Sequence, residues 1–309
     1  TAIVQDCSSV YKGPRRFKYT GLSLTSKKRI LMSAREVLEH LDDPDWVVVD
    51  CRSELADPHA GRRAYEAAHI AGAIFLDLDE DLAGPIAEGT GRHPLPDPDT
   101  VAARIGCLGI DESKRVLVYD AGPGALAARA WWILRWLGHD TVRLLDGGFG
   151  AWLSLGLPVK KGKEYRTATN FDPRPRGGRV LGTQELAENA TKIAEYKLLD
   201  ARDAARFRGE VEPIDPVAGH IPGAINLPYT DFVRADGTWL PIHERTILLE
   251  TALGSDKAVD WSVMCGSGVT ACHLAISGLE AGYREPRLYV GSWSEWICDP
   301  QRPIAGSDT

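Results

Sequence analysis

The sequence has no hydrophobic segment that could cross a membrane. No apolar run in its 309 residues approaches the roughly 18–20 residues that a transmembrane helix needs. It also has no excess of positive charge, since 36 Lys and Arg stand against 43 Asp and Glu for a formal net charge of −7. This balance disfavours nucleic acid and membranes as partners. With 44% hydrophobic and 26% charged residues, the chain is expected to be soluble and globular, and its length suits two domains.

Cysteine is scarce, and its spacing excludes two common roles. The six cysteines are Cys7, Cys51, Cys107, Cys265, Cys272 and Cys298. None of them forms a CxxC pair, and no Cys/His cluster has the spacing of a zinc site. A chain of this size does not need disulfide bonds for stability, so reduced thiols in a cytoplasmic compartment are expected.

Acidic residues are almost absent from residues 1–29, which contain seven Lys or Arg and one acid, Asp6. We interpret this stretch as a basic N-terminal extension on the surface or as an appended remnant. A transit peptide that directs the chain to an organelle is the alternative. The stretch has no apolar core like that of a secretory signal, so export is not expected.

An internal duplication is the most informative feature of the sequence. The run WVVVD, ending at Asp50, is followed by HIAGA, which begins at His69. The run YKLLD, ending at Asp200, is followed by HIPGA, which begins at His220. The two offsets are 150 and 151 residues. Such agreement indicates that one ancestral unit occurs twice.

The second half of each unit is repeated as well. RVLVYD, ending at Asp120, precedes a Gly-rich loop and a segment that ends at Trp152, while DWSVMC, ending at Cys265, precedes a similar loop and a segment that ends at Trp296. Short β-branched runs alternate with helix-like runs in both units. This pattern predicts two α/β domains, each with a mostly parallel sheet flanked by helices. We expect domains over residues 30–160 and 179–309, joined by a polar, Pro/Gly-rich linker over residues 161–178.

The loop after Cys265 has the composition of an anion-binding site. A predicted strand ends at Cys265, two glycines follow at positions 266 and 268, and a helix is predicted to begin near Thr270. The glycines let the backbone turn tightly with its N–H groups pointing inward, and the helix N-terminus adds positive potential. This environment favours a thiolate, the reactive form of cysteine. The alternative is an ordinary buried cysteine at a strand end, and Asp120 occupies the equivalent position in the first unit.

These features together resemble the rhodanese/sulfurtransferase family. The resemblance is carried by the paired HIxGA segments, the six-residue loop CGSGVT and the terminal GSWSEW, and it covers about residues 30–305. The longer run CGSGVTACH is similar to the active loop of the 3-mercaptopyruvate sulfurtransferases. The resemblance implies two tandem rhodanese-like domains, of which residues 30–160 lack the catalytic cysteine and residues 179–309 are catalytic.

The resemblance also implies a reaction. Cys265 would take a sulfur atom from a small-molecule donor and carry it as a persulfide, before passing it to cyanide or to a thiol acceptor such as a small thiol or a thioredoxin-like protein. Pyruvate would be released if the donor is 3-mercaptopyruvate. The backbone N–H groups of Gly266, Gly268, Val269 and Thr270 would hold the negative sulfur. No metal or organic cofactor is implied.

Further catalytic side chains are implied around the loop. Ser267 would pair with a histidine of the first domain, for which we predict His69, the residue that begins HIAGA, with Asp57 as its acidic partner. From the residues alone, Ser267 is equally a small residue that the turn tolerates, and His69 is more typical of a structural histidine at the start of a strand. Glu54 is as good a candidate as Asp57.

The donor is the least determined part of this prediction. Arg206 matches the family arginine that binds the substrate anion, and Arg208 competes for that role. The family's mercaptopyruvate enzymes carry a second arginine about nine residues later, where this chain has Asp215. Dedicated thiosulfate enzymes have basic residues in the loop, which CGSGVT lacks. We predict 3-mercaptopyruvate as the donor, with thiosulfate as the alternative.

Rival functions can be separated by the same loop. A cysteine phosphatase needs an arginine to grip phosphate, but the loop has none and position 271 is alanine. A non-catalytic scaffold would not need Cys265 with both glycines and Arg206, and a pure sulfur carrier would load from a partner protein. Cys272 lies one helical turn beyond the loop and is expected to belong to the core.

Overall fold

A computed structural model describes residues 29–306 of the chain. The predicted basic extension over residues 1–29 therefore lies outside the described residues except for Arg29, and so does Cys7. No helix of the described part is both long and apolar enough to span a membrane.

Strands and helices alternate along the chain. The strands are β1 (Leu31–Met32), β2 (Trp46–Asp50), β3 (His69–Ile70), β4 (Ile74–Phe75), β5 (Arg115–Tyr119), β6 (Val142–Leu145), β7 (Val159–Lys160), β8 (Val180–Leu181), β9 (Leu198–Asp200), β10 (Ile225–Asn226), β11 (Ser262–Met264) and β12 (Arg287–Tyr289). The helices are α1 (Ala34–Leu38), α2 (Ala60–Ala67), α3 (Leu78–Asp81), α4 (Pro98–Cys107), α5 (Ala125–Trp136), α6 (Gly148–Ser154), α7 (Thr183–Glu188), α8 (Ala204–Arg208), α9 (Ile242–Leu253), α10 (Ala271–Glu280) and α11 (Ser292–Trp296). Short 3-10 helices occupy Gly177–Arg179, Ala190–Tyr196 and Tyr229–Phe232.

Two five-stranded sheets have the same topology. The first has the order β1-β6-β5-β2-β4, and the second, read from its last strand, has the order β8-β12-β11-β9-β10. All neighbouring pairs in both sheets are parallel. Strands β3 and β7 form a separate antiparallel pair. The predicted fold class is confirmed, and the duplication seen in the sequence is a duplication of structure.

The central strands are buried because helices cover both faces of each sheet. In β2, the three valines of WVVVD are at most 6% exposed, as expected for a parallel strand with a core on both sides. The strand pairs with β5 from Trp46↔Arg115 to Asp50↔Tyr119. The carboxyl ends of β2 and β5 therefore lie side by side, and the loops that follow them form one edge of the domain.

The two sheets share one hydrophobic core through α5 and α10. These helices pack on each other, and buried residues of both units belong to a single cluster. In α5 nearly every side chain is buried, including Trp131 and Trp132. Helix α5 ends shortly before Gly138, whose φ of +101° is a conformation that favours glycine.

The segment predicted as a linker runs along the first sheet's helices. It contains no strand or helix between β7 and Gly177, but Phe171 is buried and the Thr169 N–H donates to the Gly106 carbonyl at 2.9 Å. The Arg174 N–H donates to the carbonyl of Leu137 at 2.8 Å. These contacts bind the connection to the protein surface.

Candidate active site

Cys265 lies at the carboxyl end of β11, where the chain turns into α10. Cys265 is 2% exposed, and its backbone N–H donates to Ser292 Oγ at 3.1 Å. The turn requires glycine at position 268, because φ is +73° and an ideal Cβ there would lie 2.3 Å from the Val290 carbonyl oxygen. The helix begins directly after Thr270, as predicted.

In the first domain, the loop equivalent to that of Cys265 binds a carboxylate of the protein itself. Asp120 stands in the place of Cys265, and its carboxylate is fully enclosed by the loop that follows. Its two oxygens accept four backbone hydrogen bonds of 2.9–3.2 Å, from the N–H groups of Gly122, Gly124, Leu126 and Ala127. The first domain, which lacks the thiol, therefore contains an anion-binding loop that is filled by the side chain of Asp120.

The second domain has the same loop without the internal anion. Within residues 29–306, the backbone N–H groups of residues 266–271 donate to no protein acceptor. Ser267, Val269 and Ala271 are the counterparts of three of the N–H donors that surround Asp120. The loop therefore keeps its donors available for negative charge at or beside the Cys265 side chain.

Ser267 pairs with His93, which is a residue of the first domain. The His93 Nδ1 atom lies 2.7 Å from Ser267 Oγ, and its Nε2 atom lies 3.2 Å from Asp79 Oδ1. An ionised Asp79 can only accept, so Nε2 carries the proton and Nδ1 accepts from the serine hydroxyl. Burial, reinforced by the positive charges of Arg129 and Arg92, lowers the pKa of His93 to about 4. At neutral pH His93 is an uncharged imidazole that can take a proton from Ser267.

The predicted pairing of Ser267 with His69 and Asp57 is wrong. His69 is fully buried, and its Nδ1 atom bonds the Tyr65 carbonyl at 2.8 Å while its ring stacks on the Tyr65 ring. Asp57 lies on the surface and forms an ion pair with Arg63, which lowers the pKa of its carboxyl group. Neither residue contacts Ser267.

His69 has a structural role that both units share. In the second unit, His220 occupies the equivalent position and bonds the Phe207 carbonyl through Nδ1 at 2.8 Å. Its ring stacks on Phe207, as the ring of His69 stacks on Tyr65. The same histidine contacts occur in the unit that has Cys265 and in the unit that lacks a thiol. They are therefore structural and not specific to the chemistry of the thiol.

Arg206 lies beside the loop, as predicted, and Arg208 does not. An ideal Cβ on Gly266 would lie 3.7 Å from both terminal nitrogens of Arg206. Arg208 is half exposed and paired with Glu210, which raises the pKa of the guanidinium. Asp215, which is only 7% exposed, lies 3.2 Å from Arg206 Nη2.

A second arginine of the first domain is buried behind the loop. Arg129 projects from α5 and is fully buried, yet it forms no ion pair with any carboxylate of the described region. Its guanidinium donates to carbonyl groups instead, among them that of Gly268 at 3.2 Å. A buried positive charge without a counter-ion stabilises negative charge nearby, and Cys265 is among the groups that interact with it electrostatically.

Cys272 belongs to the core, as predicted. It is fully buried on α10, and its Sγ lies 3.4 Å from the Gly268 carbonyl. Burial raises the pKa of its thiol to about 12, so it is not a thiolate at neutral pH.

Comparison with known proteins places this site in a family. A family model described as the rhodanese-like domain matches residues 33–155 and 183–298. A protein of Pseudomonas aeruginosa, whose name proposes 3-mercaptopyruvate sulfurtransferase activity, is 47% identical over 283 residues, covering 90% of this chain and 98% of the relative. A Mycobacterium tuberculosis protein, whose name proposes thiosulfate sulfurtransferase activity, is 38% identical over 286 residues, covering 91% and 98%. The solved structure of 3-mercaptopyruvate sulfurtransferase from Leishmania major aligns with a TM-score of 0.78 at 32% identity, covering 87% of this chain and 74% of that one.

Two matched copies of one domain, on two sheets of identical topology, show that the chain belongs to the rhodanese family. Within that family it is of the tandem-domain type that the 3-mercaptopyruvate sulfurtransferases represent. It is therefore an enzyme, a sulfurtransferase, and the alternative of a non-catalytic scaffold is disfavoured.

His93 was missed because the residues that surround it carry no motif for catalysis. It lies in GRHPLP between α3 and α4, and 174 residues separate it from Ser267. A signal was nevertheless present in the duplication. Leu95 and Pro96 recur as Leu240 and Pro241, but the position of His93 is Thr238 in the second unit. A histidine that only one unit has is a better catalytic candidate than one that both units share.

Proposed function

We propose that this enzyme transfers a sulfur atom from 3-mercaptopyruvate to a thiol through a persulfide on Cys265, and releases pyruvate. The observation that carries the proposal is the loop at Cys265. Its N–H groups donate to no acceptor of residues 29–306, and its Ser267 hydroxyl is linked to His93 and through it to Asp79. The loop supplies stabilisation of negative sulfur, and the linked hydroxyl supplies a path for a proton.

In the first half-reaction, the Cys265 thiolate attacks the sulfur of the donor. A new sulfur–sulfur bond forms while the donor's carbon–sulfur bond breaks, and the electron pair of that bond stays on carbon as the enolate of pyruvate. The proton that the donor sulfur carried is released from the persulfide. His93 takes up that proton through Ser267 and returns it by the same path to the enolate carbon, which completes pyruvate without an external acid.

In the second half-reaction, an acceptor thiolate attacks the outer sulfur of the persulfide. The sulfur–sulfur bond breaks with its electron pair on Cys265, which returns to the thiolate, while the acceptor leaves as a persulfide. Cyanide can take the same sulfur as thiocyanate. A small thiol or a thioredoxin-like protein of a reducing cytoplasm fits the chemistry of the acceptor.

The proton path favours 3-mercaptopyruvate over thiosulfate. The enolate formed from mercaptopyruvate must gain a proton on carbon, whereas thiosulfate releases sulfite, which can leave as an anion. A serine hydroxyl held 2.7 Å from a neutral histidine is of use to the first donor and of little use to the second. Thiosulfate is the second candidate, in keeping with the name of the M. tuberculosis relative.

Steady-state turnover of both donors by three forms of the enzyme tests the proposal. We expect the wild type to prefer 3-mercaptopyruvate in kcat/KM, the Cys265→Ser variant to be inactive, and the Cys107→Ser variant, altered at the end of α4, to behave like the wild type. A preference for thiosulfate would overturn the donor. Activity that survives in Cys265→Ser would overturn the role of Cys265.

A further inference from the structure

A guanidinium group of the first domain reaches the residue next to Cys265. Arg92 lies in the segment between α3 and α4, and its backbone N–H donates to Ser294 Oγ at 3.1 Å, which anchors the segment to the second domain. An ideal Cβ on Gly266 would lie 2.9 Å from Arg92 Nη2. The side chain is 27% exposed, so a small molecule can reach it.

Asp215 directs Arg92 and Arg206 toward the same point. Its buried carboxylate accepts from Arg92 Nη1 with one oxygen and from Arg206 Nη2, at 3.2 Å, with the other. Glu212 holds the outer edge of Arg206 through Nε at 3.1 Å and Nη2 at 2.7 Å. Protein carboxylates therefore fix both guanidinium groups beside Gly266.

Within residues 29–306, each guanidinium retains one terminal nitrogen without a hydrogen-bond acceptor. Arg92 Nη2 and Arg206 Nη1 donate to no acceptor in the described part of the chain, and both lie beside Gly266. Two parallel hydrogen bonds from one arginine are the strongest arrangement for a carboxylate, and Arg206 makes them with Glu212. Here Asp215 takes one nitrogen from each arginine and leaves two donors exposed at the loop.

We propose that Arg92 is a donor-binding residue of this enzyme, and that Arg92 Nη2 and Arg206 Nη1 together bind the carboxylate of the sulfur donor above Gly266. The inference rests on the proposed function, because it takes the donor to be a thiol-bearing carboxylate. A carboxylate has two oxygens to offer to two nitrogens, and guanidinium groups suit that geometry better than ammonium groups. A three-carbon donor held in this way has its sulfur at the opposite end, free to face Cys265.

The proposal also gives Asp215 a function. An acidic residue beside a site for an anion would repel the ligand if it faced the site unpaired. Asp215 is covered by the two arginines and contacts them with both oxygens, so its charge serves to orient them. We call Arg92 and Arg206 together the clamp. The first domain supplies Arg92, and the second domain supplies Arg206 and the carboxylate of Asp215 that orients both.

Equilibrium binding of 3-mercaptopyruvate tests the clamp separately from turnover. Calorimetry on the Cys265→Ser enzyme, which cannot react, would be compared with the same enzyme carrying Arg92→Met, Arg92→Lys or Arg208→Met. Loss of one charge-assisted hydrogen bond is expected to weaken binding roughly 10- to 100-fold in Arg92→Met. Arg92→Lys keeps the charge but not the fork and is expected to fall between. Arg208→Met, on the exposed side of α8, is the matched control and is expected to bind like the parent.

In the reactive enzyme, Arg92→Met is expected to raise KM for 3-mercaptopyruvate by a similar factor with a smaller effect on kcat. Equal affinity in the Arg92→Met and parent enzymes would overturn the clamp and leave the proposed function intact. If the parent itself does not bind 3-mercaptopyruvate, both the clamp and the donor assignment fail. If Arg92→Met cannot be produced folded, the Arg92→Lys comparison decides between these outcomes.

Discussion

At the scale of single residues, the two histidines of the first domain show how position decides role. His69 begins β3, and its Nδ1 atom bonds the Tyr65 carbonyl. His93 lies between Asp79 and Ser267, and each of its ring nitrogens contacts one of them. The sequence predicted His69 as the partner of Ser267 and gave no indication of His93, because HIAGA is a conspicuous segment and GRHPLP is not. The contact that distinguishes them joins two domains, and no local pattern reports it.

Replacing each histidine by glutamine separates these roles. His93→Gln is expected to lower kcat with 3-mercaptopyruvate roughly 10²-fold or more, because general acid–base catalysis typically contributes a factor of that order. Turnover of thiosulfate is expected to fall much less, because sulfite needs no proton on carbon. The measurement is steady-state kinetics with both donors. His69→Gln is the control, since a structural histidine should affect thermal stability and leave the ratio of the two donors unchanged. An equal loss with both donors in His93→Gln would contradict the proton path.

At the scale of secondary-structure elements, most of the molecule could be predicted. The β-branched runs, the apolar stripe of α5 and the two glycines after Cys265 predicted the parallel sheets, the central helix and the loop, since each depends on residues close in sequence. Asp120 could be aligned with Cys265 from the duplication alone. That its carboxylate fills an N–H lined loop could not be predicted, because it depends on the backbone path after β5.

Removal of the Asp120 carboxylate tests whether the silent loop is held by it. Asp120→Ala leaves four buried N–H groups without their acceptor and is expected to lower the free energy of unfolding by about 2–4 kcal/mol. Chemical denaturation of the variant and the wild type measures the difference. Asp57→Ala, which removes an exposed carboxylate, should leave the stability essentially unchanged. A wild-type stability in Asp120→Ala would mean that the loop does not depend on its internal anion.

At the scale of the whole molecule, each domain covers the loop of the other. The segment with Arg92 and His93 lies on the loop of Cys265, while Gly237 and Trp239 lie on the loop of the first domain. The Trp239 Nε1 atom is 3.1 Å from an ideal Cβ on Gly124. One covering segment carries an arginine and a histidine, and the other carries glycine and threonine at the same positions. Duplication thus produced two equivalent crossings, each made of a covering segment from one domain and the loop of the other domain. The crossing at Cys265 contains the reactive groups.

The buried position of His93 at this crossing predicts a pH dependence of stability. Its pKa is about 4 in the folded enzyme and about 6.5 when exposed, so the unfolded chain takes up a proton first as the pH falls. Asp79, Arg92 and Arg129 face it in the fold. Between pH 6.5 and 4 the wild type should therefore lose roughly 3 kcal/mol of stability that His93→Gln does not lose. Denaturation of both proteins across this range measures the difference, and parallel curves would show that folding does not lower the pKa of His93.

The central claim is that Cys265 carries the transferred sulfur. Its most direct test is the mass of the Cys265 peptide after the enzyme has been incubated with 3-mercaptopyruvate and no acceptor, then digested without reductant. We predict that this peptide gains the mass of one sulfur atom, that a thiol acceptor removes it, and that neither Cys265→Ser nor any other cysteine peptide shows the gain. Continued production of pyruvate with an unmodified Cys265, or with the sulfur on another cysteine, would contradict the account.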